Sequence, residues 1–246
     1  MKKLLAFLAI FGLAAIALPE ALLAQMVTES EAGGFHQAIK ITFIQGNAAF
    51  MSVLALCLVL GLAFCLERII YLSLADINQD VFLAKIDSHL ETGDVEGAKE
   101  LARSTRGPIA SIVYQGLLRI DQGPDAVERT IVSYGGVQSG LLEKNLSWIT
   151  MFITIAPSIG FLGTVIGMVV AFGDIQRAGD MSPTIVAGGM QLALITTVGA
   201  LIVALILQIV YNYILNKMEG IIGRMEDASI TFLDQVIKYN VKYKNL

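Results

Sequence analysis

The chain has 246 residues, of which 55% are hydrophobic and 15% are charged, and its formal net charge is −4 with a mean hydropathy of +0.69. Soluble domains carry about a quarter charged residues, so this composition excludes an ordinary soluble protein. No basic patch interleaved with aromatic residues occurs in the sequence, which argues against a nucleic-acid-binding protein. The long apolar runs predict an integral, all-α membrane protein that contacts the lipid bilayer directly.

The amino terminus has the pattern of a secretory signal. Met1, Lys2 and Lys3 precede an apolar run over 4–18, which Pro19 and Glu20 end. We therefore predict a signal peptide over 1–24 and a periplasmic segment over 25–47. The alternative is an uncleaved anchor or an interfacial helix.

Three apolar segments follow, at 48–66, 148–173 and 181–216, and none of them contains Asp, Glu, Lys, Arg or His. We predict transmembrane helices over 48–66, 148–173 and 185–215, with the third continuing as a cytoplasmic helix over 216–246. Membrane proteins that move ions or protons usually carry a buried charge. If this chain conducts protons, the titrating group must come from a partner chain.

Residues 67–147 show helical rather than strand periodicity. Turn residues mark three helix starts, at Gly93-Asp94, Gly107-Pro108 and Gly123-Pro124. We expect Gly135-Gly136 to interrupt the last of these helices. Since no nucleophile–base pair, phosphate-binding loop, carboxylate dyad or Cys/His cluster is arranged here, we predict neither an enzyme nor a cofactor or metal site.

The distribution of basic residues predicts the orientation. Lys and Arg are concentrated in 67–147 and after 216, whereas 25–47 contains only Lys40 and 174–184 only Arg177. By the positive-inside rule, the 67–147 region and the carboxyl terminus are cytoplasmic, and the amino terminus and the 174–184 loop are periplasmic. Glu67-Arg68, where the first segment ends, is either an interface anchor or part of an ion route on the cytoplasmic side.

Small residues dominate one face of the second segment. Gly163, Gly167 and Ala171 are spaced by four, so a neighbouring helix can approach that stripe closely. Pro157 removes a backbone hydrogen bond and predicts a kink. Gly160 and Gly199 complete the set of predicted packing positions.

Four uncharged polar residues in the second and third segments are the candidate ion-pathway residues: Thr164, Gln191, Thr196 and Thr197. A threonine in a membrane helix usually bonds to a carbonyl of its own helix. An amide such as that of Gln191 needs a partner across helices or a wet cavity. Thr197 ranks below the other two threonines, because its spacing is less diagnostic.

These segments resemble a known family. Residues 155–168, IAPSIGFLGTVIGM, resemble the A-P-x-x-G-x-x-G-T-V-x-G-M signature of the MotA/TolQ/ExbB proton-channel family. Residues 191–199, QLALITTVG, are similar to that family's A-L-x-x-T-x-x-G stretch, which ends in Tyr-Asn as Tyr211-Asn212 do here. Three apolar segments rather than four favour the ExbB/TolQ branch over the MotA branch.

The resemblance implies a pentameric helical ring around a dimer of an ExbD/TolR-like partner, whose single membrane helix supplies an aspartate. Proton passage would then move the partner and deliver work to a TonB-like protein across the periplasm. Thr164 and Thr196 match the family's pore-lining threonines, and Gln191 stands where ExbB proteins commonly have a glutamate. TolQ-like envelope maintenance, a motility or secretion motor, and a non-conducting membrane scaffold are the alternatives.

Overall fold

The computed structural model describes residues 43, 46–179 and 183–244. The predicted signal peptide and nearly all of the predicted periplasmic segment lie outside these residues. The described chain is helical without strands. Its α-helices are α1 (Ala48–Ala75), α2 (Gln79–Glu91), α3 (Val95–Ser104), α4 (Pro108–Leu117), α5 (Pro124–Glu143), α6 (Leu146–Ala178) and α7 (Pro183–Lys244).

Three of the described helices are long and apolar enough to cross a membrane, which confirms the prediction of an all-α, multi-pass membrane protein. Their apolar portions lie in α1, α6 and α7. The third of these helices, α7, runs unbroken for 62 residues and extends well beyond its apolar segment.

The chain divides into two compact units. The first contains the described residues up to Leu62 together with Thr150–Ile209. In it, α1 packs on α7 through glycines: a Cβ at Gly61 would lie 2.7 Å from Leu207 Cδ1, and one at Gly199 would lie 3.3 Å from Met51 Cε. Large apolar side chains remain exposed around this unit, as contact with lipid or with other membrane helices requires; they include Phe161, Val169 and Leu205.

The second unit comprises Ala63–Ile149 and Val210–Leu246. Phe232 of α7 is fully buried and fills the space beside Gly116 of α4. Two polar contacts tie α7 to the end of α1: Lys217 Nζ donates to Ser73 Oγ at 2.7 Å, and Arg224 pairs with Asp76 at 2.8 Å.

Caps set the short helices of the second unit where the sequence predicts them. The Asp94 carboxylate accepts a hydrogen bond from the Gly97 N–H at 2.9 Å and begins α3. Pro108 and Pro124 occupy the first turns of α4 and α5, after Gly107 and Gly123 with φ of +117° and +95°. A side chain would be strained at either glycine.

The expected interruption at Gly135-Gly136 is wrong, because α5 continues through both glycines to Glu143. A glycine in a helix interior costs roughly 1 kcal/mol relative to alanine. Val127, Ile131 and Leu142 are buried along one face of α5, and their packing offsets that cost. The chain breaks instead at Lys144 and Asn145, and Asn145 adopts a positive φ of 67°.

Candidate ion pathway

The membrane portions of α6 and α7 approach each other through small residues. A Cβ at Gly160 would lie 2.5 Å from Ala200 Cβ, and one at Gly163 would lie 2.6 Å from Thr196 Cγ2. At Gly167 the corresponding distance, to Ala193 Cβ, is 3.0 Å. Substituents at these glycines would force the two backbones apart, so the glycines bring backbone carbonyls and short polar side chains of both helices together.

A hydroxyl cluster occupies this contact. Thr164 of α6 and Thr197 of α7 share a hydrogen bond between their hydroxyl oxygens. Thr164 Oγ1 also lies 3.1 Å from the Gly160 carbonyl oxygen and 3.4 Å from that of Ala193. Thr197 Oγ1 lies 3.2 Å from the same two carbonyl oxygens. Each hydroxyl therefore faces one carbonyl of its own helix and one of the other helix.

The cluster can rearrange hydrogen bonds but cannot change charge. Each hydroxyl has one proton to donate, and each faces three acceptors, namely two carbonyls and the other hydroxyl. Several arrangements of the two protons therefore satisfy the same geometry. A hydroxyl does not titrate near neutral pH, so net proton transfer needs a titratable group from outside these segments.

Thr196 is placed differently from its neighbour. Its side chain is fully buried, and its hydroxyl lies 2.8 Å from the Gly46 carbonyl oxygen and 2.9 Å from that of Leu192. The structure thus brings Thr164 together with Thr197, while the Thr196 hydroxyl bonds to backbone carbonyls. All three threonines contact the carbonyl four residues earlier in their own helix, as expected for membrane helices.

Gln191 lies on an exposed side of α7. The exposed residues Leu194, Val198 and Leu201 follow it at helical spacing. A single chain therefore leaves the amide facing outward, where a neighbouring helix, a partner chain or water can reach it. Pro157 lies inside α6, which continues past it to Ala178.

The charged pair at the end of the first apolar segment belongs to the second unit. Arg68 is only 3% exposed; its Nε donates to Glu67 Oε2 at 2.6 Å and its guanidinium reaches the Leu141 carbonyl oxygen at 3.4 Å. The guanidinium also lies over the Tyr71 ring, 4.6 Å from its centroid. The hydrogen bond from Arg68 holds the pKa of Glu67 below its usual range. A guanidinium fixed in this way favours the anchor interpretation over the ion route.

Sequence reasoning missed the residues of α7 that contact the small residues of α6: Gly189, Ala193 and Ala200. The Gly189 position faces Ala171 of α6. A signal for them was available, because Gly189, Ala193, Thr197 and Ala200 recur at spacings of four and three, which places small residues on one helical face. Among the residues that the structure describes, no cluster of His, Cys, Asp and Glu could hold a metal ion.

Together these features define a multi-pass membrane protein whose helices carry hydroxyl groups but no charged side chain within their apolar segments. The profile of the MotA/TolQ/ExbB proton channel family matches residues 104–227, and the chain belongs to this family. The predicted family membership is confirmed. This is a family of channel subunits, not of enzymes.

Three relatives bear names from the ExbB branch. A biopolymer transport protein ExbB homolog of Methanothermobacter thermautotrophicus is 28% identical over 172 residues, covering 68% of this chain and 59% of its own length. Biopolymer transport protein ExbB of Helicobacter pylori is 38% identical over 78 residues, covering 32% of this chain and 54% of its own length. The corresponding protein of Aquifex aeolicus is 36% identical over 77 residues, covering 31% and 52%. The chain thus spans little more than half the length of these relatives.

Proposed function

We propose that this chain is an ExbB-like subunit of a motor driven by the proton-motive force in the bacterial inner membrane. Its amino terminus would be periplasmic and its carboxyl terminus cytoplasmic, as the distribution of basic residues predicts. Five copies would surround two copies of an ExbD/TolR-like single-span partner. The complex would energise TonB-dependent transport across the outer membrane.

The observation that carries the proposal is the paired hydroxyls of Thr164 and Thr197 between two helices whose apolar segments contain no titratable carboxylate, imidazole or amine. Such a site can hold water or accept a hydrogen bond from a protonated carboxyl group. It cannot itself bind and release a proton at neutral pH. The aspartate of the partner would therefore be the group that is protonated and released, and this chain would supply its polar surroundings.

Reconstitution into liposomes tests whether the partner, rather than this chain, supplies the group that carries the proton. Under an imposed proton gradient, the purified chain alone should give no proton flux above that of empty liposomes. The complex with its single-span partner should conduct, and replacing the partner's membrane aspartate by asparagine should abolish that flux. Flux through the chain alone would overturn the proposal, and a silent intact complex would leave the scaffold function as the better account.

A further inference from the structure

The second unit has a basic groove along α5 and the turn that precedes it. The groove has a volume of about 430 Å³, and its lining includes Arg119, Arg129, Ser133, Tyr134 and Val137. Arg119 donates to Gln122 Oε1 at 3.4 Å. Among the described residues, neither arginine has a carboxylate within ion-pair distance. Beside the groove, Val132 is 71% exposed.

An acidic face, opposite in charge to the groove, lies on the cytoplasmic part of α7. Asp227, Ile230, Asp234 and Ile237 recur at spacings of three and four, so they form one stripe, and all four are exposed. Ile230 is 65% exposed. Neither aspartate has an ion-pair partner among the residues that the structure describes. Within the described part of the chain, each face thus combines charges that have no ion-pair partner with exposed β-branched side chains.

The basic groove on α5 and the acidic face on α7 lie at the same level within the second unit, as the contacts around Gly116 of α4 indicate. A Cβ at Gly116 would lie 2.6 Å from Phe232 of α7 and 3.3 Å from both Val127 and Ile131 of α5. The 127–131 stretch of α5 is therefore level with the stretch of α7 just before Phe232, because helical side chains lean toward the amino terminus. This places Arg129 near the level of Ile230, within about one helical turn of Asp227 and of Asp234.

We propose that the basic groove on α5 of one copy receives the acidic face on α7 of the next copy. In a closed ring, neighbouring copies are related by rotation alone, so residues at equal height meet. Arg129 would pair with Asp227 or Asp234, and Val132 would pack against Ile230. The contact is heterologous, since it joins two different surfaces, and such contacts generate a ring where the rotation between copies closes. The inference rests on the proposed ring and deepens it by naming a cytoplasmic contact that holds neighbours together.

Charge reversal in the full-length chain tests the contact. Arg129→Glu should lower the fraction of chains found in the ring by native mass at fixed concentration, by roughly threefold or more, since it sets like charges against each other. Adding Asp227→Arg or Asp234→Arg to this variant should restore assembly. Arg106→Glu, an exposed charge reversal away from the groove, is the matched control and should leave assembly unchanged.

Cysteine cross-linking gives a second readout in the same membranes. Val132→Cys combined with Ile230→Cys should form disulfide-linked ladders of copies on mild oxidation. Val132→Cys combined with Val241→Cys should not, because Val241 lies about 16 Å farther along α7 from Ile230. The parental chain, whose Cys57 and Cys65 are buried, provides the background.

The outcomes separate this inference from the proposed function. A wild-type ring without ladders and without charge-swap restoration would overturn the contact and leave the proposed function standing. Binding of inorganic phosphate that Arg129→Glu abolishes without affecting assembly would also overturn it, by showing that the groove is an anion site. Absence of any wild-type ring would refute the ring itself and this contact with it.

Discussion

At the residue scale, the hydroxyls of Thr164 and Thr197 matter because the helix contact fixes them against the same two carbonyl groups. The hydroxyl–hydroxyl bond crosses between α6 and α7, so either proton can move to another acceptor without a change in the backbone. Such a site suits the passage of hydrogen-bonded water or a partner's carboxyl group, and it adds no fixed charge that would trap a proton.

Removing either hydroxyl should reduce proton flux. Valine matches threonine in shape, so Thr164→Val and Thr197→Val should leave helix packing and assembly intact while removing one donor and acceptor. A hydrogen bond contributes about 1 kcal/mol, which corresponds to roughly a fivefold loss of flux in liposomes that contain the complex. Thr154→Val is the matched control, because the partners of the Thr154 hydroxyl among the described residues are carbonyls of its own helix. Wild-type flux in both test variants would remove these threonines from the pathway.

Gln191→Glu should add a new pH-dependent transition to the proton flux of the complex. The side chain is exposed on the isolated chain, so the substitution should be tolerated in assembly. A carboxyl group in an apolar setting titrates above its usual value of about 4.3, and the pH profile of flux should gain a new transition above that pH. Gln176→Glu, at the exposed end of α6, should leave the profile unchanged. If both variants keep the wild-type profile, Gln191 faces lipid or packs against a helix instead.

The sequence allows these polar residues to be identified as candidates, but it does not show which of them contact each other. Thr164, Thr196 and Thr197 are identifiable because they sit among glycines in apolar segments without charged residues, and their bonds to their own helices follow from local geometry. The contact of Thr164 with Thr197 rather than with Thr196 depends on how α6 and α7 are rotated against each other. That rotation is set by which small side chain meets which glycine, and helical periodicity alone does not determine it.

At the element scale, α6 and α7 can pack closely because glycines lie at their contact. Gly160→Ala would place a methyl group 2.5 Å from Ala200 Cβ and 3.2 Å from the Thr197 Cα, so the helices must shift. Overpacking of this kind costs about 1–3 kcal/mol and should lower the thermal midpoint of the extracted protein by several degrees. Adding Ala200→Gly should recover part of the loss.

Gly173→Ala is the control for this prediction, because a Cβ at Gly173 meets nothing within 4 Å. It should leave the midpoint unchanged or raise it slightly, since alanine favours the helix. An equal effect of Gly160→Ala and Gly173→Ala would contradict the close packing of α6 on α7.

The cap of α3 should make stability depend on pH at the acidic end. The Gly97 N–H bond, with a smaller effect of the neighbouring His89, lowers the pKa of Asp94 below its usual value. The cap therefore stabilises fully above the unfolded pKa of about 3.9 and is lost as the pH falls through the lower folded value. Asp94→Ala should lower the thermal midpoint near pH 6, and its difference from wild type should shrink below about pH 4. Glu100→Ala, an exposed acid in the same helix, should show no such dependence.

Helix starts were predictable from sequence because caps are local: Asp94, Pro108 and Pro124 act through their own first turns. The continuity of α5 through Gly135 and Gly136 was not predictable in this way. It depends on the packing of Ile131 and Leu142, both of which are buried in the folded chain. Tertiary packing overrides local propensity at such positions.

At the scale of the whole molecule, we propose that this chain surrounds a partner that carries the titrating group. Membership of the MotA/TolQ/ExbB family, the apolar helices and the hydroxyl pair all support it. Composition and hydrophobic runs suffice to predict the membrane class. The arrangement of several copies depends on surfaces such as the groove on α5 and the acidic face of α7, which become visible only once the helices are packed.

The most direct test is the native mass of the complex extracted gently from its own membrane. We expect five copies of this chain with two copies of a small single-span protein whose membrane helix carries an aspartate. A monomer, or an oligomer without an aspartate-bearing partner, would contradict it, because no group able to carry a proton would then lie within the membrane.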